Sequence, residues 1–529
     1  MRALIRSVMA LLLLSISATA QQADDRILAN SLKADVYFLS AQDMAGRKTA
    51  SHEGRITGNY IASEFLRLGL KPLGDDGSYF QNYDLTVAAQ DDVNVSLTVR
   101  SGAQKKSYQL GHDFDLTWVT QTTNPTKVNG NVVFLGYGVK APEYGYDDLA
   151  SVDLRGEIAI ILPHEPQEFD PASKFKGKWN TYHAYDWYKY QDIQRAGAVG
   201  ILTVEEKVQH RPPATSSAPR QDWFPEAIYS LPGIWDLPVF AITQEVADEL
   251  LQSSGKTVEG LRKTIDSSFK PQSFELNGVS AELKKAYTNR HVVQARNVVG
   301  LLQGSDPKLK DEYVIVSAHY DHLGVVNGRT QSGADDNASG VAALLEIARA
   351  FVEGNVKPRR SILFVSFDSE EAGLLGAFYY GRNPVLPLGQ AAAVLNMDMI
   401  GRNEDTPSWK LSPNDSVRSV NVVGTLYSPD LRRDIEQQNK GVGLLLDFKT
   451  DTDDKEEWFA RSDHYVFATY GVPSVLFNTG EHPDYHTEND TWEKLNYPKL
   501  EKITRLVFLT AAEVANQDAR PAFVTSSSH

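Results

Sequence analysis

The sequence of 529 residues contains no cysteine. A chain without thiols forms no disulfide, has no cysteine nucleophile and offers no cysteine ligands to a zinc ion. Its stability must therefore come from a buried core, and a chain of this length can bury a large one. The length also favours two or three domains over a single one.

Long apolar runs are missing as well. A bilayer-spanning helix needs about 20 consecutive apolar residues, and the apolar run near the N-terminus, Val8–Leu14, is far shorter. Arg2 and Arg6 precede this run and an A-x-A sequence at 18–20 follows it, which is the pattern of a secretory signal peptide cleaved after Ala20. We therefore expect an exported protein, periplasmic or secreted, with no membrane anchor.

Basic residues are fewer than acidic ones. The chain has 53 Lys and Arg against 68 Asp and Glu, which gives a formal net charge of −15 at pH 7. A surface of this sign repels nucleic acid and anionic membranes, so neither is an expected partner. A helical H-E-x-x-H motif and a convincing G-x-S-x-G elbow are also absent, which argues against the helix-borne zinc peptidases and the serine hydrolases of the elbow type.

The order of apolar segments predicts an α/β protein. Strands are expected at 298–302, 313–318, 361–367 and 391–398, and a helix at 338–351. Such alternation predicts a mixed, mainly parallel central sheet flanked by helices. Functional sites of such sheets lie in the loops that follow the strands.

A separate block of strands and helices precedes this region and predicts a smaller inserted α/β domain. The predicted division is a signal peptide at 1–20, a first part of the main domain at 21–127, the insert at 128–280, the main part at 281–520 and a tail at 521–529.

Acidic residues and histidines recur at the ends of the predicted strands. Five clusters share this property: His319-Tyr320-Asp321-His322, Asp335-Asp336, Asp368-Ser369-Glu370-Glu371, Asn396-Met397-Asp398 and Asp484-Tyr485-His486. Carboxylates gathered at one end of a sheet repel one another, and divalent cations relieve that repulsion. Mixed His, Asp and Glu ligands suit zinc, and two such ions about 3.5–4 Å apart form a hydrolytic site. Any one cluster is more typical of a solvated strand end or a helix cap, and Asp336 is well placed for capping. Five clusters in this order, however, favour a metal site.

Side-chain alternation separates the residues of the first cluster. His319 and Asp321 are two positions apart, which places them on the same side of an extended strand. Asp321 is therefore expected to accept the second ring N–H of His319 and so orient it. His322 has the opposite parity and is not an expected ligand.

The motifs SAHYDHLG, GADDNASG, DSEEAGLLGA, NMDMIGR and YHTENDT resemble those of the M28 family of zinc peptidases, which includes bacterial leucyl-type aminopeptidases. The N-terminal stretch from MAGR to YFQNYDL resembles the beginning of the same fold, and the 128–280 block resembles a protease-associated (PA) domain. The resemblance implies an exopeptidase that binds two Zn²⁺, most simply an aminopeptidase, acting on peptides through a water that bridges the two metals.

The resemblance also implies roles for individual residues. His319 and His486 match the two histidine ligands of the family. Asp336 matches the carboxylate that bridges the two zinc ions, and Glu371 and Asp398 match the terminal carboxylates, one for each zinc. Glu370 matches the general base. Tyr485 resembles a tyrosine that stabilises the oxyanion, although a packed tyrosine is an equal alternative.

Other functions stay open at this point. A carboxypeptidase or dipeptidase of the same family would need a cation to bind the substrate carboxylate, and Arg402 lies close in sequence to Asp398. A glutaminyl cyclase would use one zinc, which the complete set of five ligands disfavours. A non-catalytic binding protein would be expected to have lost ligands.

Overall fold

The computed structural model describes residues 23–117, 122–168, 170–177, 179–205, 227–233, 237–406, 411–451 and 457–525. The predicted signal peptide lies outside the described residues, as does the end of the predicted tail. The chain divides into two compact units. Unit 1 comprises Met1–Tyr83 and Gln294–Val524, and unit 2 comprises Asp84–Val293 with Thr525–His529.

The helices are α1 (Ala29–Leu39), α2 (His52–Arg67), α3 (Asp186–Arg195), α4 (Gln244–Leu251), α5 (Val258–Ser268), α6 (Gly340–Glu353), α7 (Leu375–Arg382), α8 (Pro413–Ser416), α9 (Pro429–Val442), α10 (His464–Thr469) and α11 (Tyr497–Asn516). The strands are β1 (Lys71–Pro72), β2 (Phe80–Gln90), β3 (Ser96–Ser101), β4 (Gln104–Tyr108), β5 (Phe114–Leu116), β6 (Thr126–Phe134), β7 (Lys140–Ala141), β8 (Tyr146–Asp147), β9 (Ile158–Ile161), β10 (Gly200–Glu205), β11 (Ile228–Ser230), β12 (Val239–Thr243), β13 (Phe274–Lys285), β14 (Tyr287–Leu302), β15 (Tyr313–His319), β16 (Val325–Val326), β17 (Arg329–Thr330), β18 (Ser361–Phe367), β19 (Ala391–Met397), β20 (Ser419–Val423), β21 (Leu445–Asp447) and β22 (Ser474–Asn478).

The central sheet of unit 1 has the strand order β14-β18-β15-β19-β22-β20-β21. Its four middle strands, β18, β15, β19 and β22, are parallel to one another, whereas β14 runs antiparallel to β18 and β20 runs antiparallel to β22. Every residue of β15, β18 and β19 is buried, as expected of parallel strands that are covered on both faces. The predicted mixed, mainly parallel sheet is therefore confirmed.

Helices complete the core of unit 1. Helix α6 is buried over 340–348 because it packs against α1, α11 and β15. These elements share one hydrophobic core with the sheet. Among the described residues, no helix combines the length and the apolar character that a bilayer crossing requires.

Unit 2 has its own sheet, with the strand order β4-β3-β13-β6-β9-β10-β12-β5, and its own hydrophobic core. It begins at Asp84, well before the predicted insert at 128–280, and it continues to Val293. The difference arises because β3 pairs with β13 and β5 pairs with β12. Strands that precede position 128 in the chain are thus part of the same sheet.

Candidate metal centre

The parallel strands of unit 1 bring three of the sequence clusters to one edge of the sheet. His319 is the last residue of β15, and it lies opposite Phe367 at the end of β18. Asp368 follows β18 directly, and Asp398 follows β19. Since the carboxyl ends of parallel strands meet at the same edge, these side chains converge although they lie far apart in the chain.

Asp336 reaches the same place from the loop before α6. This loop turns at Gly333, which has a φ of 55°. A Cβ there would lie 2.1 Å from the Asp336 carbonyl oxygen and 2.5 Å from Cδ2 of His322, so only glycine fits. The capping role is taken by Asn337, whose Oδ1 accepts a hydrogen bond from the Gly340 N–H at 2.9 Å. The Asp336 carboxylate is left to face the histidines.

One group of possible ligands consists of His319, Asp336 and Asp398. Nε2 of His319 lies 3.2 Å from Oδ1 of Asp398 and 3.4 Å from Oδ1 of Asp336. All three residues are buried. Ligands that share one tetrahedral zinc at 2.0–2.1 Å lie about 3.3 Å apart, so the spacing fits such an ion.

A second group consists of His322, Asp336, Glu371 and His486. Nε2 of His486 lies 3.0 Å from Oδ2 of Asp336 and 3.4 Å from Oε2 of Glu371. Asp336 therefore turns one oxygen toward each group. This is the arrangement that a carboxylate bridging two cations requires, and the residues proposed from the sequence fit a pair of zinc ions.

The structure also places His322 beside Glu371, although the sequence pattern assigned this histidine no role. Its Nδ1 lies 2.6 Å from Oε1 of Glu371, and the side chain is fully buried. The parity argument does not apply because β15 ends at His319, so the alternation of an extended strand stops before His322 is reached.

Asp321 supports the site, but its carboxylate does not make the contact with the His319 ring that the sequence led us to expect. Nδ1 of His319 lies 3.1 Å from the backbone carbonyl oxygen of Asp321, but 3.7 Å from its carboxylate. The carboxylate instead accepts hydrogen bonds from the backbone N–H groups of Glu370 and Glu371 at 3.0 and 3.3 Å, and from the Thr49 hydroxyl at 2.8 Å. Asp321 thus fixes the turn that carries both glutamates, and its backbone orients His319.

Glu370 lies close to the first group without being one of its ligands. Its Oε2 is 3.9 Å from Nε2 of His319. Burial raises the pKa of Glu370 well above its ordinary value, and the nearby Asp398 and Glu371 carboxylates add to the effect although His319 opposes it. A carboxyl group with a raised pKa is suited to accept and return a proton near neutral pH.

Burial and the nearby carboxylates act in opposite directions on the pKa values of His319 and His486. Burial alone would lower the pKa of His319, but the Glu370 and Asp398 carboxylates outweigh it and raise that pKa well above its usual range. Burial likewise opposes the charge on His486, yet Glu371 and Asp336 raise its pKa to about 10. The pocket therefore has a negative potential that favours cations.

Tyr485 lies against His486, with ring centroids 3.8 Å apart and an angle of 28° between the rings. Burial and the Asp336 and Glu371 carboxylates raise the pKa of its hydroxyl well above 10. The phenol therefore keeps its proton and can donate a hydrogen bond. Stacking on His486 also gives it a packing role.

Two further residues that sequence reasoning did not single out hold the loops of the site. Asp490 accepts hydrogen bonds from the backbone N–H groups of Asp335 and Asp336 at 2.9 and 3.1 Å. The buried Arg47 guanidinium donates to the carbonyl oxygens of Tyr320 and Gly333 at 3.0 and 2.9 Å. These contacts fix the two loops that carry His322 and Asp336 relative to each other.

The sequence matches known proteins over this region. The sequence profile of "Peptidase family M28" matches residues 297–511. Aminopeptidase YwaD from Bacillus subtilis (strain 168) is 28% identical over 244 residues, which are 45% of this chain and 48% of that protein. The probable glutamate carboxypeptidase VP8 from Zea mays is 29% identical over 252 residues, which are 44% of this chain and 32% of that protein. The chain thus matches less than half the length of each of these relatives.

Among solved structures, the aminopeptidase from Aneurinibacillus sp. strain AM-1 aligns with 96% of this chain and 98% of its own, with a TM-score of 0.49 and 20% sequence identity. The assignment of a family rests on the sequence match, which contains both groups of possible ligands. It confirms the resemblance seen in the motifs. Residues 297–511, which are less than half of the chain, are therefore similar to peptidase family M28.

Proposed function

We propose that the protein is a zinc-dependent exopeptidase, and specifically an aminopeptidase that removes N-terminal residues from peptides. The observation that carries this proposal is the position of Asp336. Its two oxygens face separate sets of ligands, His319 with Asp398 on one side and Glu371 with His486 on the other. Two zinc ions held in this way would supply a Lewis acid that polarises the scissile carbonyl and activates water.

The chain's own residues would perform the proton transfers. Glu370 has a raised pKa, so it would take the proton of the attacking water and pass it to the departing amine. Tyr485 keeps its hydroxyl proton and would donate a hydrogen bond to the oxygen on which negative charge develops. The Asp321 carboxylate, which holds the backbone of Glu370, would keep this base in place.

The alternative, a carboxypeptidase or dipeptidase, needs a cation to bind the carboxylate of the substrate. Arg402 is the candidate that the sequence offered, but its guanidinium donates to the Asp484 carboxylate at 2.9 Å. The Lys494 ammonium lies 2.8 Å from the same carboxylate, so the Arg402 guanidinium is part of a local ion-pair network. The acidic pocket instead suits a substrate with a free ammonium group, which favours the aminopeptidase.

We also propose that the protein is exported and that unit 2 is an accessory domain inserted into the peptidase domain. Export is supported by the signal-peptide pattern at 1–20. The insertion is supported by the chain order, since Asp84–Val293 separates the two parts of unit 1. The resemblance of the 128–280 block to a PA domain is consistent with such an insert.

A panel of aminoacyl and peptide substrates tests the class of enzyme. Each peptide is offered with a free N-terminus, with an acetylated N-terminus and with an amidated C-terminus. We expect cleavage of the free and the C-amidated peptides, loss of cleavage on acetylation, and loss of all activity after chelation with recovery on added zinc. Cleavage that requires a free C-terminus would instead establish the carboxypeptidase, and activity that survives exhaustive chelation would refute the zinc enzyme.

A further inference from the structure

His322 is a buried histidine in the metal centre that the proposed reaction does not use. Its Nδ1 lies 2.6 Å from Oε1 of Glu371 and 3.7 Å from Oδ2 of Asp336. The first distance is a hydrogen bond and the second is too long for one. The question is whether His322 binds a metal or holds a residue that does.

The distances decide between these roles. Two ligands of one tetrahedral zinc lie about 3.3 Å apart. Nε2 of His486 meets this spacing from Oε2 of Glu371, at 3.4 Å. The 2.6 Å between His322 and Oε1 is much shorter and corresponds to a hydrogen bond between a ring N–H and a carboxylate. The two oxygens of Glu371 are thus in different environments, one toward His486 and the other toward His322.

We propose that His322 is a positioning residue: its Nδ1–H donates to Oε1 of Glu371 and so presents Oε2 to the cation of the second group. This inference rests on the proposed function, because it concerns the same metal centre. A carboxylate fixed through one oxygen binds a metal through the other, and such hydrogen-bonded support orients the ligand before the metal arrives.

The surroundings of His322 hold its ring in place for this task. Its backbone N–H donates to the carbonyl oxygen of Arg47 at 3.3 Å. Its ring packs edge-on against that of His486, with centroids 5.7 Å apart. Gly333 leaves the space that the ring fills, since a Cβ there would lie 2.5 Å from Cδ2 of His322. The backbone of His322 is therefore anchored, and its ring is held between His486 and Gly333.

The second ring nitrogen agrees with this assignment. Nε2 of His322 is buried and has no hydrogen-bond partner among the described residues. A neutral ring with its proton on Nδ1 leaves only a lone pair at Nε2, and a buried lone pair costs less free energy than a buried charge.

Three variants distinguish a positioning role from a ligand role. In His322→Asn, the side-chain amide places an N–H close to where Nδ1 was, whereas in His322→Gln the amide lies further out. In His322→Ala the donor is absent. The metal-free forms of the full chain are titrated with zinc against a chelating indicator, which gives both the number of ions bound and their dissociation constants. Melting curves of the metal-free proteins check that each variant folds, and His291→Ala, at an exposed histidine, is the control.

We expect His322→Ala to bind as many zinc ions as the wild type but to hold one of them about 10- to 100-fold more weakly. His322→Asn should recover most of this affinity, and His322→Gln should not. An unchanged affinity in a folded His322→Ala protein would refute the proposal. So would the complete loss of one zinc in both the Ala and the Asn variants, since that result would make His322 a ligand. A wild type that binds no zinc would overturn the proposed function itself, and the inference with it.

Discussion

Glu370 and Glu371 are neighbours in the chain, yet their carboxylates have opposite environments. Burial raises the pKa of Glu370 well above its ordinary value, whereas His486 and His322 overcome the effect of burial and hold that of Glu371 well below it. Pairs of acidic groups whose pKa values diverge in this way commonly divide the roles of acid or base and permanent anion. The structure therefore suits Glu370 to proton transfer and Glu371 to metal binding.

The first prediction concerns Glu370→Gln. The amide cannot accept a proton from water, but Asp321 would still hold the backbone of the turn. We expect zinc content and melting temperature close to wild type and a loss of kcat of about 10²- to 10⁴-fold. Steady-state kinetics with metal analysis measures both, and Glu493→Gln, at an exposed glutamate, is the control. Wild-type turnover in Glu370→Gln would show that Glu370 is not the general base.

The sequence predicts the residues at strand ends better than their supporting contacts. The positions of His319, Asp368 and Asp398 at strand ends were predictable because each comes at the end of an apolar run that is typical of a strand. The contact between Nδ1 of His322 and Glu371 depends on how the chain turns after β15 ends. Arg47 reaches loops more than 270 positions away in the chain, and no local pattern reveals such a partner.

At the scale of an element, the loop before α6 leaves little room for a larger side chain. At Gly333 a φ of 55° coincides with a close approach to the Asp336 carbonyl and the His322 ring. Gly328 has a φ of 75°, but a Cβ there would meet no atom within 4 Å. The two glycines therefore separate the effect of backbone strain from that of crowding.

The second prediction compares Gly333→Ala with Gly328→Ala. Both changes place alanine in the left-handed region, which costs about 1–2 kcal/mol. Only Gly333→Ala must also displace Asp336 and His322, so we expect it to lose more stability and to weaken zinc binding. Urea denaturation and zinc titration measure the two effects. Equal losses in both variants would show that crowding at Gly333 does not shape the metal centre.

At the scale of the whole molecule, stability should depend on pH through a buried carboxyl group of unit 2. Burial raises the pKa of Asp148 to about 7, although Tyr146 and the backbone N–H groups of Val139 and Tyr137 oppose the shift. Between about pH 4 and 7 the folded chain then holds a proton that the unfolded chain has released. Linkage requires the contribution of Asp148 to stability to fall as pH rises through this window.

The third prediction follows from that sign. Asp148→Asn removes this titration. The free energy of unfolding of the variant minus that of the wild type should therefore increase by a few kcal/mol, to an order of magnitude, from pH 4 to pH 8. Urea denaturation at several pH values measures the difference, with Asp92→Asn, at an exposed residue, as the control. A difference that stays constant with pH would contradict the raised pKa.

The central claim is that Asp336 joins two cation sites, and the zinc content of Asp336→Ala tests it most directly. Purified wild type, Asp336→Ala and Asp398→Ala are saturated with zinc, freed of excess metal and measured for zinc per chain by mass spectrometry. We predict two ions in the wild type, one in Asp398→Ala and fewer than one in a folded Asp336→Ala protein, because the loss of the shared carboxylate weakens both sites. A wild type with a single zinc, or an Asp336→Ala protein that keeps two, would contradict the account.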